Sequence, residues 1–212
     1  MSFRAVCISR LEGAGGAQVG RHVAERLGFA YVDEEIVASA ASKGGVSVED
    51  IADEERRKSA LRRLLEEIGR GSGAESIGLA GPSAQTLAGA APDEIRALIV
   101  EAIEETAARG DVVIVSHAAS HALASRREVL RVLVTASPAT RAKRLSEERR
   151  VQPKEAEKLV KAADAARSDY LHRFYEIESE LPTQYDLVLN TDQLGSERAA
   201  ELVATAAAWD IE

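Results

Sequence analysis

The 212-residue sequence predicts an α/β protein in which a parallel five-stranded sheet is flanked by helices. β-prone runs alternate with helical patterns along the chain, and such alternation indicates parallel strands joined by right-handed crossovers. The runs at 112–115 and 132–134 are continuously apolar, as in a sheet covered on both faces. A glycine-rich loop follows the first β-prone run, where parallel sheets bind ligands. We therefore expect a single domain over residues 1–212.

The chain begins with a strand, a helix and a second strand. Residues 3–8 are β-prone, and over 17–27 apolar residues recur at the three- and four-residue spacing of a helix. Gly28 closes this helix as a C-cap, and residues 29–32 form the second strand.

The next segment holds two or three predicted helices over 34–69 and a glycine-rich loop over 69–92. Ser47 and Asp50 have the spacing of a capping box, with Asp in place of the usual Glu, so one helix is expected to begin there. We interpret the second stretch as a flexible loop within the domain, because a helical pattern resumes at Asp93.

The second half of the chain predicts three strands and four helices. They are helix 93–109, strands 111–115 and 130–135, helices 138–149 and 153–178, strand 185–189 and helix 196–208. Gly110 ends the first of these helices, and Ser137 with Pro138 forms a favourable N-cap and first-turn pair.

Composition narrows the classes of function. The chain carries 35 Asp and Glu against 27 Lys and Arg, a formal charge of −8, which argues against broad non-specific nucleic-acid binding. Its single cysteine, Cys7, excludes an intrachain disulfide and a Cys-based zinc cluster, and the apolar residues around it predict a buried strand position. No run approaches the ~20 apolar residues of a membrane helix, and no signal peptide is recognisable. We therefore expect a cytoplasmic protein with no membrane or nucleic-acid partner.

The glycine-rich loop spans Ser9 to Gln18 and runs directly into a helix. Its glycines let backbone amides turn towards a phosphate, and the helix N-terminus adds partial positive charge. A dinucleotide fingerprint beginning at Gly13 and Gly15 fails, because its third small residue falls on Gln18. The spacing by itself leaves two interpretations, an anion-binding loop or a tight strand–helix turn with no ligand.

A Walker A loop fits the same residues only in part. When its second glycine is aligned with Gly15, Arg10 stands at the first glycine, Gly16 at the lysine and Ala17 at the Ser or Thr. The lysine normally reaches the β- and γ-phosphates, and the hydroxyl normally holds magnesium. Neither group is present at its position here.

The opening signature of the cytidylate kinase-like family of P-loop proteins resembles residues 8–16, which read Ile-Ser-Arg-x-x-Gly-Ala-Gly-Gly. As in that family, a helix, Leu27-Gly28 and the segment Tyr31-Val32-Asp33-Glu34-Glu35-Ile36 follow. Further similar blocks occur in order over nearly the whole chain, at 110–115, 136–141, 164–167 and 185–191.

This resemblance implies a P-loop kinase fold with a helical nucleotide-binding insertion at about 34–92 and an Arg-rich lid at about 141–180. It also implies transfer of the γ-phosphoryl group of ATP, with Mg²⁺, to a nucleoside monophosphate such as CMP or dCMP. Such transfer depends on positioning and charge neutralisation more than on covalent chemistry by the protein.

The family's nucleotide-binding residues transfer onto the glycine-rich loop. The candidates for phosphate binding are Arg10, Gly13, Ala14, Gly15, Gly16, Ala17 and Gln18. Many members of this branch have Gly-Ser-Gly-Gly in the loop, so the absent lysine is a trait that the branch shares. Arg10 belongs to the branch signature, and we hypothesise that it supplies positive charge from the other side of the loop.

Three arginines are the catalytic candidates that the resemblance implies. Arg141 and Arg144 lie one turn apart on a predicted helix, like the lid-side arginines of the family. Arg167, with Asp164, matches the family's Asp-x-x-Arg lid motif. The alternative interpretation is an exposed, salt-bridged helix face.

The acceptor side departs from the family pattern. Asp33 matches the acidic residue that contacts the acceptor nucleotide, although it is equally suited to cap a helix. After the strand at 112–115 the family usually has Gly-Arg-Gly or Gly-Arg-Asp, whereas this chain has Ser116-His117-Ala118. His117 carries only a fraction of a charge near pH 7 and lacks the two-pronged grip of arginine. His121 could share a helix face with His117, but two histidines alone make a weak metal site, so no metal ligands are predicted.

Two functions therefore stay open at the level of sequence. The first is an active nucleoside-monophosphate kinase with an unusual phosphate loop. The second is a catalytically impaired relative that acts as a nucleotide-sensing or protein-interaction module, because two independent phosphate grips are altered.

Overall fold

The computed structural model describes residues 3–33, 92–116 and 118–209. The helices, the capping box and nearly all of the loop that we predict between residues 34 and 92 lie outside these ranges, as does His117. The strands are β1 (Ala5–Arg10), β2 (Ala30–Val32), β3 (Val112–Val115), β4 (Val129–Thr135) and β5 (Leu187–Asn190). The helices are α1 (Gly16–Leu27), α2 (Pro92–Arg109), α3 (Ala119–Ala122), α4 (Pro138–Arg149), α5 (Pro153–Tyr175) and α6 (Thr191–Ala207), with a 3₁₀ turn at Pro182–Gln184.

The strands form one five-stranded sheet in the order β2-β3-β1-β4-β5. Every neighbouring pair is parallel, and the central strand β1 places Ile8 opposite Val115 on one side and Val132 on the other. This arrangement confirms the parallel five-stranded sheet predicted from the alternation of strands and helices. The carboxyl ends of all five strands therefore lie along one edge of the sheet.

Helices cover both faces of the sheet. In β1, Val6 and Ile8 belong to one buried cluster with residues of α1 and α6, whereas Ala5 and Cys7 belong to a second cluster with residues of α2 and α3. The division follows from the strand period, because successive side chains point to opposite faces. Cys7 is buried in β1, as the apolar residues around it in the sequence predict. Burial raises the pKa of its thiol to about 12.

The helices α4 and α5 pack against each other through a separate apolar cluster that includes Leu145 and Leu159. The predicted cap of α4 is present, since the Ser137 hydroxyl accepts a hydrogen bond from the backbone N–H of Thr140 at 3.3 Å. Within the described ranges, no helix is both long enough and apolar enough to cross a membrane.

Two helix boundaries differ from the prediction. α5 ends at Tyr175, because Glu176 adopts a left-handed conformation (φ 55°) and its N–H closes the helix on the carbonyl of His172. α6 begins at Thr191, where the Asn190 side chain caps it by accepting from Asp192 N at 2.8 Å. Gly195 is non-helical (φ 68°, ψ 179°) and divides α6 at a kink, so the part of the helix after the kink begins near Ser196, as predicted.

Candidate functional site

The glycine-rich loop joins the carboxyl end of the central strand β1 to the N-terminus of α1. Gly13 and Gly15 adopt left-handed conformations, with φ of 76° and 82°, which side chains other than glycine rarely tolerate. Gly15 is the N-cap of α1, and among the described residues no side chain caps this helix. The first amides of α1 and the positive end of its dipole are therefore available to an anion.

The loop packs tightly against the first turn of α4. A Cβ atom at Gly13 would lie 2.8 Å from the carbonyl oxygen of Arg141 and 3.1 Å from its Cβ. No side chain fits in that space, so Gly13 is required both by its backbone conformation and by this close approach.

Arg144 and Thr191 hold the loop from the side of α4 and α6. The carbonyl oxygen of Ala14 accepts hydrogen bonds from Arg144 Nη1 at 3.2 Å and from the Thr191 hydroxyl at 2.7 Å. Arg144 Nη2 also donates to the carbonyl oxygen of Thr191 at 2.9 Å. A Cβ on Gly15 would lie 3.8 Å from Arg144 Nη1, so this guanidinium stands directly beside the loop.

Arg141 lies one turn earlier and has a different environment. Only 3% of its side chain is exposed, and Nη1 and Nη2 donate to the two carboxylate oxygens of Asp164 on α5 at 2.7 and 2.6 Å. Nη1 also lies 3.4 Å from the carbonyl oxygen of Glu12 in the loop, and the Glu12 carboxylate pairs with Arg149. The interpretation as an exposed face does not describe Arg141, which is buried on α4 and contacts both the loop and α5.

Arg167 is also buried in an ion pair. Nε and Nη2 donate to the Glu180 carboxylate at 2.9 and 2.5 Å, and Tyr185 donates its hydroxyl to the same carboxylate. Burial opposes both charges, yet the hydrogen bonds between them raise the pKa of Arg167 and lower that of Glu180. A cavity of about 150 Å³ lies between Leu11 of the loop and this part of α5, lined by Asp164, Arg167 and Glu180.

The Tyr185 hydroxyl also lies 3.1 Å from Nε2 of His121, whose pKa is lowered by burial. Sequence reasoning identified Thr191 and Tyr185 only as parts of a matching block and did not single out Glu12, Glu180 or His121 as site residues. His117 lies outside the described residues, so its predicted contact with the acceptor stays a prediction.

Arg10, Asp33 and Tyr31 form a third polar group at the same edge of the sheet. Arg10 Nη2 and Asp33 Oδ1 are 3.8 Å apart, and the Tyr31 hydroxyl donates to Asp33 Oδ2 at 3.1 Å. The aliphatic part of Arg10 packs over Gly16, with Cδ 3.1 Å and Cγ 3.3 Å from where a Cβ of Gly16 would be. The predicted phosphate-binding arginine thus lies against the loop, and Asp33 contacts it.

The loop fits a nucleotide phosphate better than it fits a metal held by the protein. Its amides and its two flanking arginines suit an anion, whereas Ala17 has no hydroxyl with which to hold a cation. Over residues 3–33, 92–116 and 118–209, no group of three His, Cys, Asp or Glu is placed to bind a metal ion.

Comparison with solved structures places the chain among P-loop kinase-like folds. An uncharacterized protein from Eubacterium ventriosum is similar with a TM-score of 0.65 and 19% sequence identity, and the match covers 97% of each chain. Shikimate kinase from Bacteroides thetaiotaomicron is similar with a TM-score of 0.52 and 16% identity, over 95% of this chain and 96% of that one. At such identities these likenesses describe the fold alone.

Sequence comparison is more specific. No curated protein matches the chain significantly. The sequence model of the cytidylate kinase-like family, however, matches residues 5–193, which include the glycine-rich loop, all five strands and the helices α4 and α5. The chain therefore belongs to the cytidylate kinase-like family, a kinase-like family of nucleotide-binding proteins.

Proposed function

We propose that this protein binds ATP at the glycine-rich loop and transfers its γ-phosphoryl group to a nucleoside monophosphate such as CMP. One observation carries the proposal. Two left-handed glycines lead into the uncapped N-terminus of α1, and Arg10 and Arg144 flank that loop. The result is a cationic backbone cradle of the kind that binds phosphate groups. Membership of a kinase-like family supports the same interpretation.

The reaction needs little covalent chemistry from the protein. A phosphate oxygen of the acceptor attacks the γ-phosphorus, the bond from that phosphorus to the β–γ bridging oxygen breaks, and ADP and a nucleoside diphosphate are the products. The attacking oxygen is already ionised, so no general base is required. The protein contributes alignment of the two substrates and positive charge around the transferred group.

Three arginines are each suited to a different part of this alignment and charge neutralisation. Arg144 stands beside Gly15 and is suited to neutralise charge on the donor nucleotide. Arg141 is suited to a positioning role, because it holds the loop through Glu12 and is itself held by Asp164. Arg167 lines the cavity beside the loop, where an acceptor phosphate would compete with Glu180 for its guanidinium.

Thermal unfolding with ATP, ADP, CMP and dCMP, each with and without Mg²⁺, tests the binding step. A ligand at a hundredfold excess over its Kd adds ~2.7 kcal/mol to the free energy of unfolding, which is readily measured. A coupled assay of ADP formation with CMP as acceptor then tests the transfer step. If none of these nucleotides shifts the unfolding transition, the proposal is wrong.

A second candidate is a nucleotide-binding relative without turnover. The observation that favours it is that Arg141 and Arg167 are both engaged in two-pronged buried ion pairs, with Asp164 and Glu180. The loop also lacks the lysine and the hydroxyl that active Walker A loops use. Stabilisation by ATP without ADP formation in the presence of any nucleoside monophosphate would favour this candidate.

A further inference from the structure

We propose that Arg10 takes the place of the missing loop lysine and contacts the β- and γ-phosphates of ATP, and that Asp33 and Tyr31 position the Arg10 side chain. This inference rests on the proposed nucleotide binding and deepens it. It names the residue that contacts the phosphates and the two residues that act through it.

The first argument is that Arg10 occupies the place of a side chain at position 16. A Cβ at Gly16 would lie well inside contact distance of Arg10 Cβ, and its distance to Arg10 Cδ would be only 3.1 Å. Gly16 is not one of the glycines with positive φ, so its backbone conformation does not require glycine. The chain therefore has room for a long side chain at position 10 or at position 16, but not at both.

The second argument is that the guanidinium of Arg10 has hydrogen bonds left to give. Its Nε is buried and has no hydrogen-bond partner in the part of the chain that the structure describes. The carboxylate oxygen that pairs with it among the described residues, Asp33 Oδ1, is 3.8 Å from Nη2, which is an ion-pair distance but too long for a hydrogen bond. A buried donor without an acceptor is unfavourable, and a phosphate oxygen would satisfy it.

The third argument concerns how Arg10 is held in place. Asp33 follows β2, and in the sheet β2 is separated from β1 by β3, so the Asp33 carboxylate reaches Arg10 across the carboxyl end of β3. The Tyr31 hydroxyl donates to Asp33 Oδ2 at 3.1 Å and leaves Oδ1 facing Arg10. The Tyr31 ring is in turn covered by the Arg21 guanidinium, with Cζ 5.3 Å from the ring centroid. These contacts fix the carboxylate, and the carboxylate orients Arg10.

The ligand that this geometry selects is a nucleoside di- or triphosphate. In a Walker A loop the lysine contacts the β- and γ-phosphates. A nucleoside monophosphate has neither group, so it would leave a residue in the role of this lysine without its contact. A guanidinium offers several N–H donors in one plane and can bridge two phosphate oxygens, so it is a chemically sufficient substitute.

Isothermal titration with ATP tests the proposal on the full chain. Arg10→Ala should weaken ATP binding by about tenfold to a hundredfold, the range for a charge-assisted hydrogen bond. The double variant Arg10→Gly with Gly16→Lys should regain most of the affinity that Arg10→Gly loses, because glycine at position 10 removes the obstructing Cβ and the second change installs the lysine. Arg4→Ala is the matched control, since Arg4 lies just before the opposite end of β1, beside Gly110, and its removal should change ATP affinity by less than about twofold.

The positioning role is tested by Tyr31→Phe, which alters no charge. It should weaken ATP binding by about threefold in the wild-type background and have no effect in the Arg10→Ala background. An equal effect in both backgrounds would show that Tyr31 acts independently of Arg10 and would overturn that part of the proposal.

The outcomes separate this inference from the proposed function. If the wild-type protein binds ATP and Arg10→Ala, folded by circular dichroism, binds it equally well, the inference is wrong and the proposed function stands. Failure of Gly16→Lys to rescue Arg10→Gly, in a variant that is folded by circular dichroism, also counts against the inference. If the wild-type protein does not bind ATP, both are overturned.

Discussion

Arg141 and Asp164 form a two-pronged ion pair between α4 and α5, with N–O distances of 2.7 and 2.6 Å. The arginine is almost wholly buried, whereas 40% of the Asp164 side chain is exposed. The same guanidinium lies 3.4 Å from the Glu12 carbonyl oxygen, so one side chain connects the glycine-rich loop with α4 and α5.

Breaking this pair should destabilise the protein. We expect Asp164→Asn to lower the free energy of unfolding by about 1.5–3 kcal/mol, because it leaves the Arg141 charge buried without its partner. The partial exposure of Asp164 limits the effect. Urea denaturation measures it, and Glu128→Gln, which breaks the exposed pair with Arg126, is the control and should cost less than about 0.5 kcal/mol. Equal costs for the two variants would contradict this interpretation.

The backbone conformation of Gly15 should matter for nucleotide binding. Gly15→Ala and Gly28→Ala both place a Cβ on a left-handed residue of α1 with no atom closer than 3.7 Å, so both should lose about 1–2 kcal/mol of stability. Only Gly15 lies at the phosphate end of the helix, so only its substitution should weaken ATP binding, by about tenfold. Titration calorimetry measures the ATP affinity of both variants and so distinguishes an effect of strain at the loop from an effect of backbone strain at either end of α1.

Thr191 should prove important for the loop. Thr191→Val removes the hydroxyl that donates to the Ala14 carbonyl at 2.7 Å, and we expect a loss of about 1–3 kcal/mol of stability, since a buried acceptor loses one of its two donors. Thr205→Val is a matched control on the same helix, because the Thr205 hydroxyl donates to the Glu201 carbonyl at an exposed position. A drop of similar size in both variants would refute a special role for Thr191.

The ion pair of Arg167 and Glu180 predicts a pH dependence of stability. The pKa of Glu180 lies below its ordinary value of 4.5, although burial works in the opposite direction, because Arg167 favours the carboxylate. The unfolded chain therefore takes up the proton more readily than the native protein. The stabilisation is complete above the unfolded pKa and is lost as the pH falls through the lowered native pKa.

The measurement compares wild type with Glu180→Gln. The difference in unfolding free energy should be constant from about pH 7 to pH 5.5 and should shrink below about pH 4.5. Both proteins are compared in a His121→Asn background, because burial lowers the pKa of His121 while the charge of Glu180 opposes that shift, so the two groups do not titrate independently. A difference that grows on acidification would contradict the sign of the shift.

Much of the fold could be predicted because the signals are local. The continuous apolar runs of β3 and β4, the cap at Ser137 and the C-cap at Gly28 each depend on residues next to one another in the chain. The prediction for α6 found the part after the kink at Gly195 and missed the turn that begins at Thr191, because a capping asparagine and a non-helical glycine do not produce a hydrophobic period. Helix boundaries depend on such single residues more than on the hydrophobic pattern of the helix.

The candidate site was predictable in position but not in its pairings. The loop and its arginines follow from spacing and from the family resemblance, yet nothing in the sequence links Arg167 to Glu180 or Arg144 to Thr191. Glu180 and Thr191 are common polar residues with other polar or charged residues near them in the sequence, so neither is recognisable as a partner. Their pairing depends on how α4, α5 and α6 pack around the loop.

The sequence by itself therefore determined the alternation of strands and helices, the glycine-rich loop after the central strand and the family. Hydrophobic periodicity and the positions of glycines are properties of neighbouring residues, so they are the same however the strands and helices pack. Only the tertiary structure decided that Arg10 fills the space above Gly16 and that Asp33 faces it across β3. These relationships join residues on different strands, and the distances between them exist only once the sheet has formed.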